Sequence, residues 1–489
     1  MTLALLAAPL LAALGCLVLP RAAAWASSLG ALATLGLGIA VAAGTFGGPA
    51  RYEAGGAFYL DALSGLIVLV VALVGAAAAL RSPAYLAREV AHGTIRPSQP
   101  RWYYVWLQLS LFAMLAVPLL DNLGLMWVAV EATTVATALL VGFYRRTHAL
   151  EAAWKYLVLC TAGIAIALFG VLLTYYAAVR VLPDEAAALS WAALRANAAH
   201  LDPELMKLAF ALVLVGYGTK AGLAPMHTWL PDAHGQAPAP VSALLSGALL
   251  SCALYAVLRY HLLAVGAVGG TYSADLLLLF GTLSIAVAVP FVLVQHDLKR
   301  LFAYSSVEHI GIVALGVGIG GRLGLFAAAF HLFNHAVAKS TLFFAAGAIG
   351  QRYGTLRLSR LRGVAEAMPL EGVVLLAGTL AIAGSPPFAP FASELGILLA
   401  GFAGRPAAVA ASVVLVAGTV LIFGGMLYHV IQVTLRAAPA NLAPARPLPF
   451  GWAFLALPLA ALLVGGIWLP PFLTQAFTAV AAVLEGSTP

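Results

Sequence analysis

Apolar runs of 18 or more residues recur from one end of this chain to the other, and no other feature narrows its fold so far. Each run is long enough to cross a hydrocarbon core of ~30 Å as a helix. Charged residues make up 9% of the chain, against roughly 25% in soluble domains, so such a chain cannot keep its own surface wet. We therefore expect an all-α integral membrane protein with about fourteen spans, starting near residues 2, 25, 60, 103, 123, 155, 207, 238, 272, 300, 324, 369, 407 and 450. The longest polar connections run from about Arg81 to Arg101 and from Arg180 to Lys207, and neither is long enough for a soluble domain. The first run, Leu3 to Leu19, has no basic residue before it. It reads as a membrane helix and not as a cleaved leader, which carries a positive n-region.

The formal net charge of +7 suggests nucleic acid only until the charges are placed. With the N-terminus outside, sixteen of the 25 Lys and Arg fall on the cytoplasmic side, among them Arg145, Arg146, Lys299, Arg300, Arg436 and Arg446. Seven fall outside, Arg259 included, and Lys220 and Lys339 lie within spans. That bias is the positive-inside pattern. It predicts a multi-pass inner-membrane protein with both termini on the outer face and no nucleic-acid partner. Cys16, Cys160 and Cys252 stand far apart in apolar runs, without metal or iron–sulfur spacing. They read as small buried apolar residues.

Two Gly/Pro-interrupted segments, Ala221-Gly222-Leu223-Ala224-Pro225 and Ala383-Gly384-Ser385-Pro386-Pro387, are offset by 162 residues, and the same offset sets Asp232 against Glu394. Matched broken helices in two halves of a transporter point to its ion pathway. Glu131 and Glu308 each sit two spans before their break. Spans 4–8 and 9–13 then form two inverted five-helix repeats with helices 7 and 12 broken. The chain divides into residues 1–102 (three N-terminal helices), 103–262 (first repeat), 272–435 (second repeat) and 450–489 (a last helix and short tail).

Charged side chains inside the bilayer are costly and are kept mainly for a partner or a function. Glu131 lies mid-span, and Lys220 lies just before the break at Pro225. They form either a structural ion pair or a proton-loading lysine governed by a carboxylate. His331, His335 and Lys339 fall at i, i+4 and i+8, one stripe on one helix face. The stripe suits a proton relay, because imidazole titrates near neutrality. It could instead be a structural polar seam or a metal or haem site, although no third ligand has a plausible spacing. Glu394 lies just beyond the second break, as a relay terminus or an interfacial acid. Glu308 and His309 are adjacent, as a relay step or a local pair, and Lys299 stands at a span boundary, as a relay group or a cytoplasmic anchor.

The segment Lys220-Ala-Gly-Leu-Ala-Pro-Met-His-Thr-Trp-Leu-Pro-Asp-Ala-His234, with QHDLKRLFAY from Gln295 and HLFNHAVAKSTLF from His331, resembles the signature of the antiporter-like subunits of respiratory complex I and multisubunit sodium/proton antiporters. The resemblance spans about residues 60 to 435. "YSSVEHIG" around Glu308 looks most like the hydrogenase-4 component F group. The resemblance implies that Glu131, Lys220, Lys299, His331, His335, Lys339 and Glu394 carry protons. It also implies that this chain holds no cofactor of its own and works beside other membrane and peripheral subunits. One departure stands out. Relatives carry Lys or His in the eighth helix, whereas Ser242 to Tyr255 offers only Ser246, Ser251 and Cys252 besides Ser242 itself. Water, serine hydroxyls, His227 or His234 would have to bridge the halves.

The resemblance implies a proton-translocating subunit of a redox complex, of hydrogenase, formate hydrogenlyase or complex I type. A sodium/proton antiporter subunit, or the membrane half of an inorganic-carbon uptake complex, would use the same polar axis.

Overall fold

The computed structural model describes residues 1–439 and 451–486. Arg446 and the boundary near residue 450 therefore lie outside the described residues. The protein is an all-α, multi-pass membrane protein with, among the described residues, one small β-hairpin, Arg51–Glu53 paired with Phe58–Leu60. We number the main helices α1 (Thr2–Val18), α2 (Ala23–Phe46), α3 (Ala62–Ala91), α4 (Gln99–Leu119), α5 (Leu123–Val141) and α6 (Thr147–Ala178). Then come α7 (Pro203–Ala221), α8 (Trp229–Gln236), α9 (Ala239–Val268), α10 (Tyr272–Leu293), α11 (Leu298–Ile319) and α12 (Gly321–Tyr353). The last are α13 (Pro369–Ile382), α14 (Ala389–Phe402), α15 (Pro406–Leu435), α16 (Gly451–Ile467) and α17 (Pro471–Glu485).

Among the described residues ten helical segments are long and apolar enough to cross a membrane, or eleven if the bent pair α16–α17 is one span. This is fewer than the fourteen expected. α1, α13 and α14 are apolar but short, and α12 has 33 residues but loses apolarity to its His, Asn and Lys side chains. The polar connection expected from Arg81 also shrinks, because α3 continues helically to Ala91 with Arg81 buried.

Both breaks have visible causes. α7 ends where Gly222 takes φ +82, and a Cβ there would lie 2.5 Å from Leu230 Cδ1. The freed backbone finds side chains from elsewhere: Ala224 N–H donates to Ser284 Oγ of α10 (2.9 Å), and Trp229 Nε1 donates to Thr219 O (2.8 Å). Such satisfaction is what allows irregular backbone at membrane depth. α13 ends at Ile382, and Gly384 follows with φ +71.

The core of the bundle is α9, buried throughout its apolar window, with α11 nearly so. α2 and α15 are the most exposed of the long helices, as lipid-facing helices must be. Small residues let backbones approach closely: a Cβ on Gly216 of α7 would fall 2.6 Å from Gly163 O of α6. Close approach of this kind is how helices gain contact in lipid, where apolar burial offers little drive.

Candidate functional site

Lys220 is buried in the last turn of α7. Its Nζ donates to Thr134 Oγ1 (2.7 Å) and Tyr156 Oη (2.6 Å), and lies 4.7 Å from the Tyr156 ring centroid. Glu131 sits one turn before Thr134 on α5, because i and i+3 share a helix face. Its carboxylate accepts from Thr134 Oγ1 (3.1 Å) and Thr161 Oγ1 of α6 (2.8 Å). Glu131 and Lys220 are therefore not in contact: one threonine hydroxyl stands between them. The sequence reading missed Thr134, Tyr156 and Thr161. Their only signal was a hydroxyl one turn from an intramembrane acid and hydroxyls on a neighbouring span.

The second cluster is assembled from α11, α12 and α14. His309 Nδ1 and His331 Nε2 are 2.9 Å apart, and His331 Nδ1 meets Ser393 Oγ at 2.9 Å. Asn334 Nδ2 donates to the same serine (3.3 Å). The His335 ring lies 5.5 Å from that of His309. Glu308 Oε2 is 3.9 Å from His309 Nε2, beyond hydrogen-bond reach. Glu308 Oε2, His309 Nε2 and both ring nitrogens of His335 have no hydrogen-bond partner among the described residues. Buried polar atoms of this kind are ordinarily met by water.

The stripe on α12 divides in use. His331 meets Ser393 and lies within 4.8 Å of a Glu394 carboxylate oxygen, whereas Lys339, two turns on, donates to Phe302 O of α11 (2.8 Å). The further candidate ligands that the sequence spacing lacked come from neighbouring helices. His309, His331 and Glu394 each place one ligand atom within 4.8 Å of the others, and His335 is not among them. Two imidazoles and a carboxylate suit a zinc-like ion.

α9 runs between the two clusters and is bonded to the second. Its Leu245–Leu249 turn is π-helical and aims Ser246 at α11, where Ser246 Oγ and Ser306 Oγ are 2.8 Å apart. Ser306 donates to Phe302 O (3.0 Å), the carbonyl that also accepts from Lys339. Ser251 instead bonds within its own helix, to Gly247 O (3.1 Å). No hydrogen bond among the described residues links Lys220 to Ser246.

Lys299 is buried, and its Nζ donates to Gly235 O (3.3 Å) and to Ala237 O beyond the end of α8. His234 bonds Leu230 O (2.8 Å) through Nδ1, leaves Nε2 without a partner, and lies within electrostatic reach of both Lys299 and Lys339. His227 stands apart, packed near Phe291 and Tyr304. Asp232 differs in surroundings from Glu394, with which the repeat aligned it. It is ion-paired with Arg300 (2.5 Å) and Lys155 (3.4 Å), whereas Glu394 is buried against Gly384.

Arg259, counted above among the outer-side charges, is buried on α9. It holds Asp61 with two nitrogens (2.6 and 2.7 Å), bonds Tyr255 and Ser64, and lies 4.2 Å from the Trp191 ring centroid.

The family described as NADH:quinone oxidoreductase/Mrp antiporter, TM, matches residues 121–423. The chain is 39% identical over 433 residues to the hydrogenase-4 component F homolog of Methylacidiphilum infernorum, covering 88% of this chain and 89% of that one. A chain of the membrane-bound sulfane sulfur reductase, an archaeal respiratory membrane complex, has a similar fold: TM-score 0.87, 24% identity, 99% of this chain and 98% of that chain. A chain of respiratory complex I from Thermus thermophilus aligns with a TM-score of 0.75 at 27% identity, over 98% and 100% of the two chains.

Proposed function

This chain belongs to the NADH:quinone oxidoreductase/Mrp antiporter family of membrane subunits, and on that premise we propose that protons cross it through two linked clusters, one at Lys220 and one at Lys339. It is a membrane subunit of a redox-driven, proton-translocating, antiporter-like complex, and other membrane and peripheral subunits accompany it. The first cluster is Glu131, Thr134, Lys220 and Tyr156. The second runs from Ser246 and Ser306 through the Phe302 carbonyl to Lys339, then by Glu308, His335, His309 and His331 to Glu394. Lys299 and His234 flank it.

One observation carries this reading. Lys220 and Lys339 are both buried, and their hydrogen-bond partners are hydroxyls and a carbonyl, with no carboxylate in salt-bridge contact among the described residues. A structural ion pair would set a carboxylate on the ammonium, because an uncompensated buried charge costs several kcal/mol. A lysine held by neutral groups is free to gain and lose its proton as its surroundings change. The imidazole-rich second cluster favours protons over a hard cation, which prefers oxygen ligands.

The same reading takes α1–α17 as fourteen spans, with α7–α8, α13–α14 and α16–α17 each counted once. Residues 103–262 and 272–435 form the inverted repeats. In support, each unit holds one broken helix that passes beside a buried acid or base. Both termini lie on the outer face of the inner membrane, as the Lys/Arg bias requires.

Lys220→Ala tests the proposal in inverted membrane vesicles that retain the whole complex. Proton movement per electron should be lost while redox turnover by the partner subunits persists in part. Pumping at the wild-type ratio would overturn the reading.

A further inference from the structure

A polar cavity of about 290 Å³ opens where the ends of α3 and α12 meet the α8–α9 turn. Glu89, Tyr85, Tyr144, Gln351, Lys299 and Ala237 are among its walls. Nothing in the clusters above uses Glu89. It is buried on α3 one turn after Tyr85, and its carboxylate accepts from Gln351 Nε2 of α12 (2.7 Å). Tyr85 and Tyr144 close one side with an Oη–Oη contact of 2.8 Å. Also on the cavity wall, Lys299 donates to the carbonyls of Gly235 and Ala237.

Glu89 and Lys299 thus share one cavity and lie within electrostatic reach of each other, yet they form no salt bridge among the described residues. The other titratable groups on the cavity wall are His92 and Arg146, both exposed at its rim. Inward of Lys299 stands His234, with its unpartnered Nε2, within reach of both Lys299 and Lys339. The sequence therefore runs from bulk water to a buried carboxylate, a buried amine, an imidazole and the second cluster.

We propose that this cavity is the aqueous mouth of the second cluster, and that Glu89 passes protons between the water on the Arg- and Lys-rich face and Lys299. The step is a proton exchange that balances without a co-reactant. The Glu89 carboxyl gives its proton to the neutral Lys299 amine, leaving carboxylate and ammonium, and a proton from the bulk phase, carried by water in the mouth, restores the carboxyl. Lys299 then hands on through His234. The inference rests on the reading of Lys339 and His335 as proton carriers.

The test uses inverted vesicles carrying the whole complex, with redox turnover and proton movement measured together. Glu89→Gln should lower protons moved per electron roughly tenfold or more, the scale on which a positioned proton-transfer group acts. Glu89→Asp should keep a substantial part. A second variant is independent of the carboxylate. Thr355→Cys, on the cavity wall, should pump normally until a membrane-impermeant sulfonated thiol reagent reaches it from the basic face. It should then lose most of its pumping. The three cysteines of this chain are all buried, and the wild-type complex treated with the same reagent sets the baseline against which the loss is read. Wild-type pumping in Glu89→Gln overturns the assignment, and so does unimpaired pumping by labelled Thr355→Cys. Lys339→Ala, run in parallel, separates the two levels. If it still pumps, the relay itself fails. If it is dead while Glu89→Gln and labelled Thr355→Cys are normal, only the mouth is misplaced.

Discussion

Thr134 Oγ1 donates to Glu131 and accepts from Lys220, so a single hydroxyl proton fixes the sense of both hydrogen bonds. If Lys220 gives up its proton, the same hydroxyl can turn and donate to the amine, which releases the carboxylate. Glu131 then acts on the lysine through field and hydroxyl, not through contact. Removing the carboxylate should tune the lysine without cutting the path, because a nearby anion favours the charged amine. We expect Glu131→Asp to retain part of the pumping and Glu131→Gln little. Thr134→Val should resemble Glu131→Gln, and Thr134→Ser should restore function. Proton-to-electron ratios in vesicles check this. Equal ratios for Glu131→Asp and Glu131→Gln would reduce Glu131 to a structural part.

The element that decides whether the two clusters communicate is α9. It lies at the centre of the bundle and offers no acid or base between Ser242 and Tyr255. Its π-helical turn spans Leu245–Leu249, the kind of local widening that often marks functional sites. The turn brings Ser246 to Ser306, whose hydroxyl shares the Phe302 carbonyl with Lys339. Gly247 keeps this turn close to α12, since a Cβ would lie 3.1 Å from Ala336 O. We expect Ser246→Ala to lower the proton-to-electron ratio severalfold, with Lys339 still in place, and Ser246→Thr to be milder. A cavity the size of the lost hydroxyl admits water poorly (a site needs about 10–15 Å³ of probe-occupied volume), so substitution by water should be incomplete. Wild-type pumping in Ser246→Ala would show that the clusters join elsewhere.

At the scale of the whole molecule, Arg259 and Asp61 tie the central helix to α3. The pair is buried, two-pronged, and packed under Trp191. Breaking one side of such a pair leaves an uncompensated charge, at a cost of about 3–5 kcal/mol. Asp61→Ala should therefore lower the melting temperature of the detergent-solubilised complex clearly. Replacing both partners together, as Asp61→Leu with Arg259→Met, should recover much of the loss. If the double variant melts no higher than Asp61→Ala, the pair has no special role in holding α3 to α9.

How much was legible in the sequence follows from distance along the chain. Apolar runs longer than the bilayer core determine an all-α membrane protein, because only helices and closed barrels survive in lipid and barrel strands are short and alternate apolar with polar residues. Gly222 and Gly384 mark the two breaks, since local backbone conformation is written in local residues. The intramembrane Lys, His and Glu residues announce themselves singly, because each costs free energy that a lipid-facing position would not repay. Partnership is another matter. That Thr134 separates Glu131 from Lys220, that His309 and Glu394 join His331, and that Asp61 claims Arg259 all depend on side chains from different helices meeting in space. Their sequence separations run from 22 residues for His309 and His331 to 198 for Asp61 and Arg259. No periodicity within one helix encodes such meetings; only the packing of the bundle decides them.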